Sequence, residues 1–343
     1  MTAEEPLLAV RDLRVRFRTP AGPIDAVRGV DLEVRDKGVL GLVGESGSGK
    51  SVTLRAVMGL LPPTAEVSGS VKFRGQELIG RSERQLRALR GSRMAMIFQD
   101  PMTALNPVLT IGAQIVEAIR IHDNAISRDG ARKRAIELLE MVAVPFASRR
   151  VDQYPHEFSG GMRQRAMIAM AMANNPELLI ADEPTTALDV TVQAQIIDML
   201  QRLREEHGIG MVLITHDLGV VAGMAERVAV MYGGRIVERG AVEDVFYGSR
   251  HPYTRGLLAS LPRLEATAQR LTAIDGAPPT LARRPAGCAF HPRCRLAGEI
   301  CRTDDPALRS VDAVETACHF AERLRDGAAM AAPAVEDHDA VRI

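Results

Sequence analysis

Three groups of residues have types and spacings that can do chemistry. Gly44-Glu45-Ser46-Gly47-Ser48-Gly49-Lys50-Ser51 fits G-x-x-x-x-G-K-[ST], with an apolar run, Val39 to Val43, before it and a helical pattern after it. Glycines let backbone N–H groups turn inward around phosphates, and the following helix adds its positive end. Lys50 can neutralise β/γ oxygens and the Ser51 hydroxyl can ligate Mg²⁺. The second group is Leu178-Leu179-Ile180-Ala181-Asp182-Glu183, an apolar strand ending in two carboxylates. Such a pair alone is usually a solvated turn. With the upstream loop it assigns Asp182 to the Mg²⁺ shell and Glu183 to polarising an attacking water. The third group is Cys288, Cys294, Cys301 and Cys318, in a chain whose first 287 residues contain no cysteine.

The elements that must position these groups follow from periodicity and breakers. Leu7 to Phe17 alternates as a strand, and Ala26 to Val34 reads as its partner. Val39 to Val43, the glycine turn and Ser51 to Leu61 form a strand-loop-helix unit closed by Pro62-Pro63. Helices are expected over Arg81 to Arg90, Ile111 to Arg120, Arg132 to Met141 and Met162 to Ala173, so roughly 83 to 175 is a helical insertion. Leu178 to Ala181 and Met211 to Thr215 have the compact apolar form of parallel strands covered on both faces, separated by the helix Val190 to His207. A hairpin, Arg227 to Tyr232 and Arg235 to Glu238, turns at Gly233-Gly234. Composition then shifts, so a boundary is expected near 250, with a cysteine-rich unit over 251–325 and a disordered tail over 326–343. The methionines Met162, Met167, Met170 and Met172 read as helix packing rather than a substrate groove.

The totals exclude several function classes. Lys+Arg and Asp+Glu are balanced at 43 each, so no nucleic-acid footprint is expected. With aromatics at 3% and no Trp, there is little material for stacking single-stranded bases. Met1 to Pro6 lacks the regions of a secretory signal, and no uncharged apolar run nears the roughly 20 residues a bilayer crossing takes. The expectation is a chain soluble on its own in the cytosol, where thiols stay reduced. The spacing C-x5-C-x6-C-x16-C fits neither the paired C-x2-C zinc pattern nor the short ferredoxin run, and four thiolates can complete either tetrahedral zinc or an iron-sulfur cubane.

Ser159-Gly160-Gly161-Met162-Arg163-Gln164, between Phe158 and a helix, resembles the signature sequence of ATP-binding cassette (ABC) proteins. That resemblance implies an α/β fold: a P-loop ABC ATPase core of mixed sheet plus antiparallel β subdomain, a helical subdomain insertion, and here a small Cys-rich C-terminal domain. It implies that Ser159, Gly160 and Gly161 cap a γ-phosphate held by another subunit, and that Asp189 crosses the dimer interface. Gln99 resembles the glutamine that couples Mg²⁺ and water to a membrane partner, His216 the histidine that contacts the γ-phosphate, and Phe17 the aromatic that stacks on adenine. The phosphate-binding run is then Gly44 through Val52, with Ser51, Gln99 and Asp182 as Mg²⁺ ligands.

The runs Phe98 to Pro107, Tyr154 to Ser159, His251-Pro252-Tyr253-Thr254 and Gly287 to Cys294 are similar to ATPase subunits of bacterial oligopeptide, dipeptide and nickel importers, over about Leu7 to Phe320. What this implies is ATP hydrolysis that energises uptake of oligopeptides or dipeptides, or of nickel or another small solute. The chain would be peripheral, on the cytoplasmic face of the inner membrane. Its partners would be a second homologous ATPase, two transmembrane permease subunits and an extracytoplasmic substrate-binding protein. The resemblance also tips the cysteines toward a [4Fe-4S] cluster over Zn²⁺.

Overall fold

The computed structural model describes residues 5–260 and 274–324. The expected tail from 326 lies outside them. The chain opens with an antiparallel ribbon, β1 (Leu8–Thr19) and β2 (Gly22–Val34), then β3 (Val39–Val43), buried along its whole length. Next come β4 (Ala65–Phe73), the two-residue β5 (Gln76–Glu77) and β6 (Met94–Ile97). After a helical stretch follow β7 (Leu178–Asp182), β8 (Gly210–Ile214), β9 (Arg227–Tyr232) and β10 (Arg235–Ala241), and finally β11 (Arg309–Val311) and β12 (Val314–Thr316). They form two sheets, β2-β1-β4-β5 and β11-β12-β10-β9-β3-β8-β7-β6.

The expected mixed and antiparallel sheets are both present. Leu8, Val10, Leu13 and Val15 of β1 face inward and pack with Leu40, Leu42, Leu54 and Ile180 between the sheets. On the other face of the large sheet, Leu179, Ala181, Met211 and Leu213 pack against the helical stretch, through Ile115, Leu138 and Met167, and against Met199 of the helix Val190–His207. Buried Met167 and Met172 are core residues, as their helical setting predicts.

Differences from the sequence reading have local causes. The helix after the glycine turn runs only Lys50–Val57, because Gly59 adopts a left-handed φ of 62°. There Leu60 N–H donates to Arg55 O at 2.8 Å and Gly59 N–H to Ala56 O at 3.0 Å, the pair of bonds that closes a helix end. The helix expected from Arg132 starts at Arg128, capped by Ser127, whose hydroxyl accepts from Gly130 N–H. The helix expected over Arg81 to Arg90 is Glu83–Leu89, set by a capping box of Ser82 with Gln85.

The cysteine-bearing stretch does not form a separate unit with its own sheet. Its strand β12 pairs with β10, Glu238 opposite Thr316. Tyr253, Ala289 and Phe290 share a core with Val43, Val228 and Tyr232 of the large sheet. The cysteine-bearing stretch thus continues the large sheet through β12.

Candidate functional site

Register alone brings the reactive residues to one edge. Strands β6, β7, β8, β3 and β9 are parallel neighbours, with Ile97 opposite Ala181, Asp182 opposite Ile214, Ile214 opposite Leu42, and Val43 opposite Val230. Each chain leaves its strand at the same level, so Gln99, Glu183, His216 and Gly44 emerge along one carboxyl-terminal edge, where ligands of open α/β sheets bind.

Close packing shapes the loop after β3. Gly44 has φ 150°, and a Cβ there would lie 2.2 Å from Met231 O; at Gly49, φ 108°, it would meet Ala26 O at 2.8 Å. Only glycine fits either place. Gly234 N–H donates to Ser48 O at 3.0 Å, so the β9–β10 turn supports the loop from below. Lys50 Nζ donates to Gly44 O at 2.7 Å and Glu45 O at 2.9 Å. Burial lowers the Lys50 pKa, while Glu183, Asp182 and Glu45 oppose that shift.

Ser51 Oγ donates to Asp182 Oδ1 at 2.9 Å, and burial raises the pKa of Asp182. Glu183 follows in a left-handed backbone, φ 48°. Its Oε2 accepts from Gln99 Nε2 at 2.9 Å and Thr186 Oγ1 at 2.8 Å, and lies 3.9 Å from His216 Nδ1. His216 is 70% exposed and Glu183 17%, so the carboxylate is anchored while the imidazole faces outward. Thr186 is a partner that sequence reasoning did not name; no motif position flags it.

The other expected residues stand elsewhere. Ser159 caps the helix Gly160–Ala171, accepting from Met162 N–H, and Asp189 caps Val190–His207, accepting from Val192 N–H. A Cβ on Gly160 would touch Leu188, and one on Gly161 would meet Val192 at 2.7 Å, so these two helix starts pack together. Among the described residues neither makes a hydrogen bond to the Gly44–Ser51 loop. Phe17 lies half-buried on β1 against the inter-sheet core, and Val52 joins the same core.

The cysteines form no disulfide. Cys301 and Cys318 are buried, and Cys288 N–H donates to Cys301 O at 2.9 Å. Burial pushes the Cys288 thiol up to about 11, with Cys301 and Cys294 adding to the rise, and that of Cys318 up to about 12, with the other three cysteines adding to it. Against the expected metal centre, no group of three or more His, Cys, Asp or Glu among the described residues is gathered to hold a metal ion. Among those residues, too, no helix is long and apolar enough to cross a membrane.

Residues 27–186 match the family model described as ABC transporter, and 237–301 that of the oligopeptide/dipeptide transporter C-terminal region. The chain is 52% identical to the oligopeptide transport ATP-binding protein OppD of Bacillus subtilis, over 89% of this chain and 86% of that protein. It is 51% identical to OppD of Salmonella typhimurium, over 88% and 89% of the two chains. Against OppD of Mycobacterium tuberculosis the identity is 52%, and the chain spans half the length of that relative. Among solved structures, the dimeric ATP-binding cassette MJ0796, in a post-hydrolysis state bound to ADP and Pi, superimposes with a TM-score of 0.62 at 29% identity. That match covers 68% of this chain and 98% of that one.

Proposed function

Because the chain belongs to the ABC-transporter ATPases, in the branch of oligopeptide transport ATP-binding proteins, we propose that it hydrolyses ATP to drive uptake of oligopeptides or dipeptides across a bacterial inner membrane. The observation that carries the reading is the Glu183 carboxylate, fixed by Gln99 and Thr186 beside the Ser51–Asp182 pair at the mouth of the glycine loop. The nickel-importer alternative is not favoured, because the OppD relatives are oligopeptide transport proteins.

Lys50 and the N–H groups of Gly47 to Ser51 bind the phosphates, and the adenine stacks on Phe17. Ser51, Asp182 and Gln99 offer the hard oxygen donors that suit Mg²⁺, which would neutralise charge on the β/γ oxygens. Glu183 accepts a proton from the attacking water, and His216 steadies the γ-phosphate. Ser159, Gly160, Gly161 and Asp189 complete the site of a second ATPase subunit, a homologous partner. The exposed side chains of Met102, Val108 and Leu109, following Gln99, suit a contact with one of two membrane permeases, which receive cargo from an external binding protein. The chain then works as a peripheral subunit on the cytoplasmic face.

Glu183→Gln is expected to keep ATP binding and lower turnover by roughly 10²–10⁴-fold, the contribution of a positioned base. Near-normal hydrolysis in that variant sinks the assignment.

The four cysteines are proposed to hold a [4Fe-4S] cluster. In its favour are four thiols free of disulfides, three of which, Cys288, Cys294 and Cys318, have their pKa raised by burial and by neighbouring cysteines, a charge conflict a bound cation relieves. The same four thiolates could instead complete a tetrahedral Zn²⁺ site. Bound there, the cluster would cross-link a stretch with little core of its own. Anaerobic purification with iron and sulfide analysis checks this, and a colourless protein refutes it.

A further inference from the structure

One side chain of the cysteine-bearing stretch reaches the phosphate loop. Arg293, the residue before Cys294, has a side chain only 6% exposed that forks onto both carboxylate oxygens of Glu45, at 2.6 and 2.9 Å. Its Nε donates to Asp275 O at 2.9 Å, and its Nη1 to Tyr232 Oη at 3.3 Å. The guanidinium lies 6.0 Å from the Tyr232 ring centroid and 5.9 Å from that of Phe290. On the backbone side, Glu45 N–H donates to Tyr253 Oη at 2.7 Å. Glu45 is thus held at both its main chain and its carboxylate by residues that lie outside the glycine motif.

The charge matters as much as the hold. Glu45 directly follows Gly44, so its carboxylate sits in a loop that must receive a polyphosphate, and unpaired it would repel that ligand. A bidentate guanidinium, largely withdrawn from water, cancels this charge and fixes its direction, as a monodentate ammonium cannot. Pairing with Glu45 also raises the pKa of Arg293 despite its burial.

We propose that Arg293 is a positioning residue for ATP: by neutralising and fixing Glu45 it keeps the Gly44–Ser51 loop receptive to phosphate, and it makes the cysteine-bearing stretch part of the nucleotide site. The inference rests on the ATP-binding reading but is independent of any metal at the cysteines.

The test is equilibrium binding of a non-hydrolysable ATP analogue to the full chain, with steady-state kinetics alongside. Arg293→Ala is expected to weaken binding and raise KM about tenfold, with kcat changed by less than about twofold, as loss of a buried charge partner predicts. Adding Glu45→Gln to Arg293→Ala removes the stranded carboxylate and is expected to recover most of the lost affinity. A double variant as weak as the single would show that Arg293 only supports the fold, and would overturn the proposal; so would wild-type affinity in Arg293→Ala. Should Arg293→Ala fail to fold, Arg293→Lys keeps the cation without the fork: a loss of roughly threefold supports the proposal, and unchanged affinity overturns it. A parent chain that binds no ATP at all would instead refute the underlying functional reading.

Discussion

The nucleotide edge and the cysteine-bearing stretch are built on opposite plans. At the edge, polar residues as far apart in sequence as Ser51 and Asp182, 131 positions, are carried on strands whose side chains are buried on both faces, as in β3, β7 and β8. The stretch has short elements, two three-residue strands among them, and is tied to the body by the β10–β12 pairing, by ion pairs and by an aromatic joint. In that joint Phe290 meets Tyr232 edge-on at 5.3 Å and Tyr253 at 5.4 Å. Arg28 and Arg235 both pair with Asp305, and Arg239 pairs with Glu315. A site on a deep sheet can lose a side chain's chemistry and keep its shape. A stretch held at a few points loses shape first.

The sharpest way to break this contrast is Gly44→Ala. A Cβ forced against the backbone of buried Met231 displaces the loop, so ATP binding should fall by more than about 100-fold, well beyond what the shift in the thermal midpoint of the nucleotide-free protein reflects. Equal losses in both would blur the distinction. In the cysteine-bearing stretch the order should reverse. Phe290→Ala empties the joint and is expected to cost about 3–5 kcal/mol in denaturant unfolding, whereas Ile300→Ala, at a side chain 48% exposed, should stay within about 0.5 kcal/mol.

A smaller effect reads the tie between the two regions through pH. Glu238, buried on β10 beside β12, accepts from Ser249 Oγ at 2.8 Å and from Arg250 N–H, yet burial raises its pKa from 4.5 to about 7. The folded protein therefore holds this proton over a window in which the unfolded chain has released it. Stability from this group is greatest below about pH 4.5 and declines as pH rises toward 7, by at most about 3 kcal/mol. Glu238→Gln should flatten that slope in denaturant titrations at pH 5 and 7.5. An unchanged slope would assign the pH dependence to other groups.

The edge was legible because its chemistry restricts residue types and its strands carry unbroken apolar runs. Gly44 to Ser51, Asp182 and Glu183 need particular functional groups, and the register of the parallel strands then sets their level. The ties to Glu45 were not legible. Tyr253 and Arg293 are more than 200 residues away from it, and although each stands in a run that resembles the importer ATPases, nothing in either run points to Glu45. The β4 strand also escaped, since Ala65 to Phe73 contains serines and a glycine and takes its place only by pairing with β1. The four cysteines were conspicuous by composition, but composition could not show that β12 would attach their stretch to β10.

The position of β3 also bears on how the chain comes into being. Its five apolar residues lie between β8 and β9, and both neighbours are more than 160 residues downstream. During synthesis, β3 is made early and then waits for residues 210–232 before either edge of its backbone is paired. Such pairing closes a long loop, which makes it slow and leaves an apolar strand exposed meanwhile. The phosphate loop thus takes shape only once the chain has grown past residue 232, so ATP can reward folding only after that point.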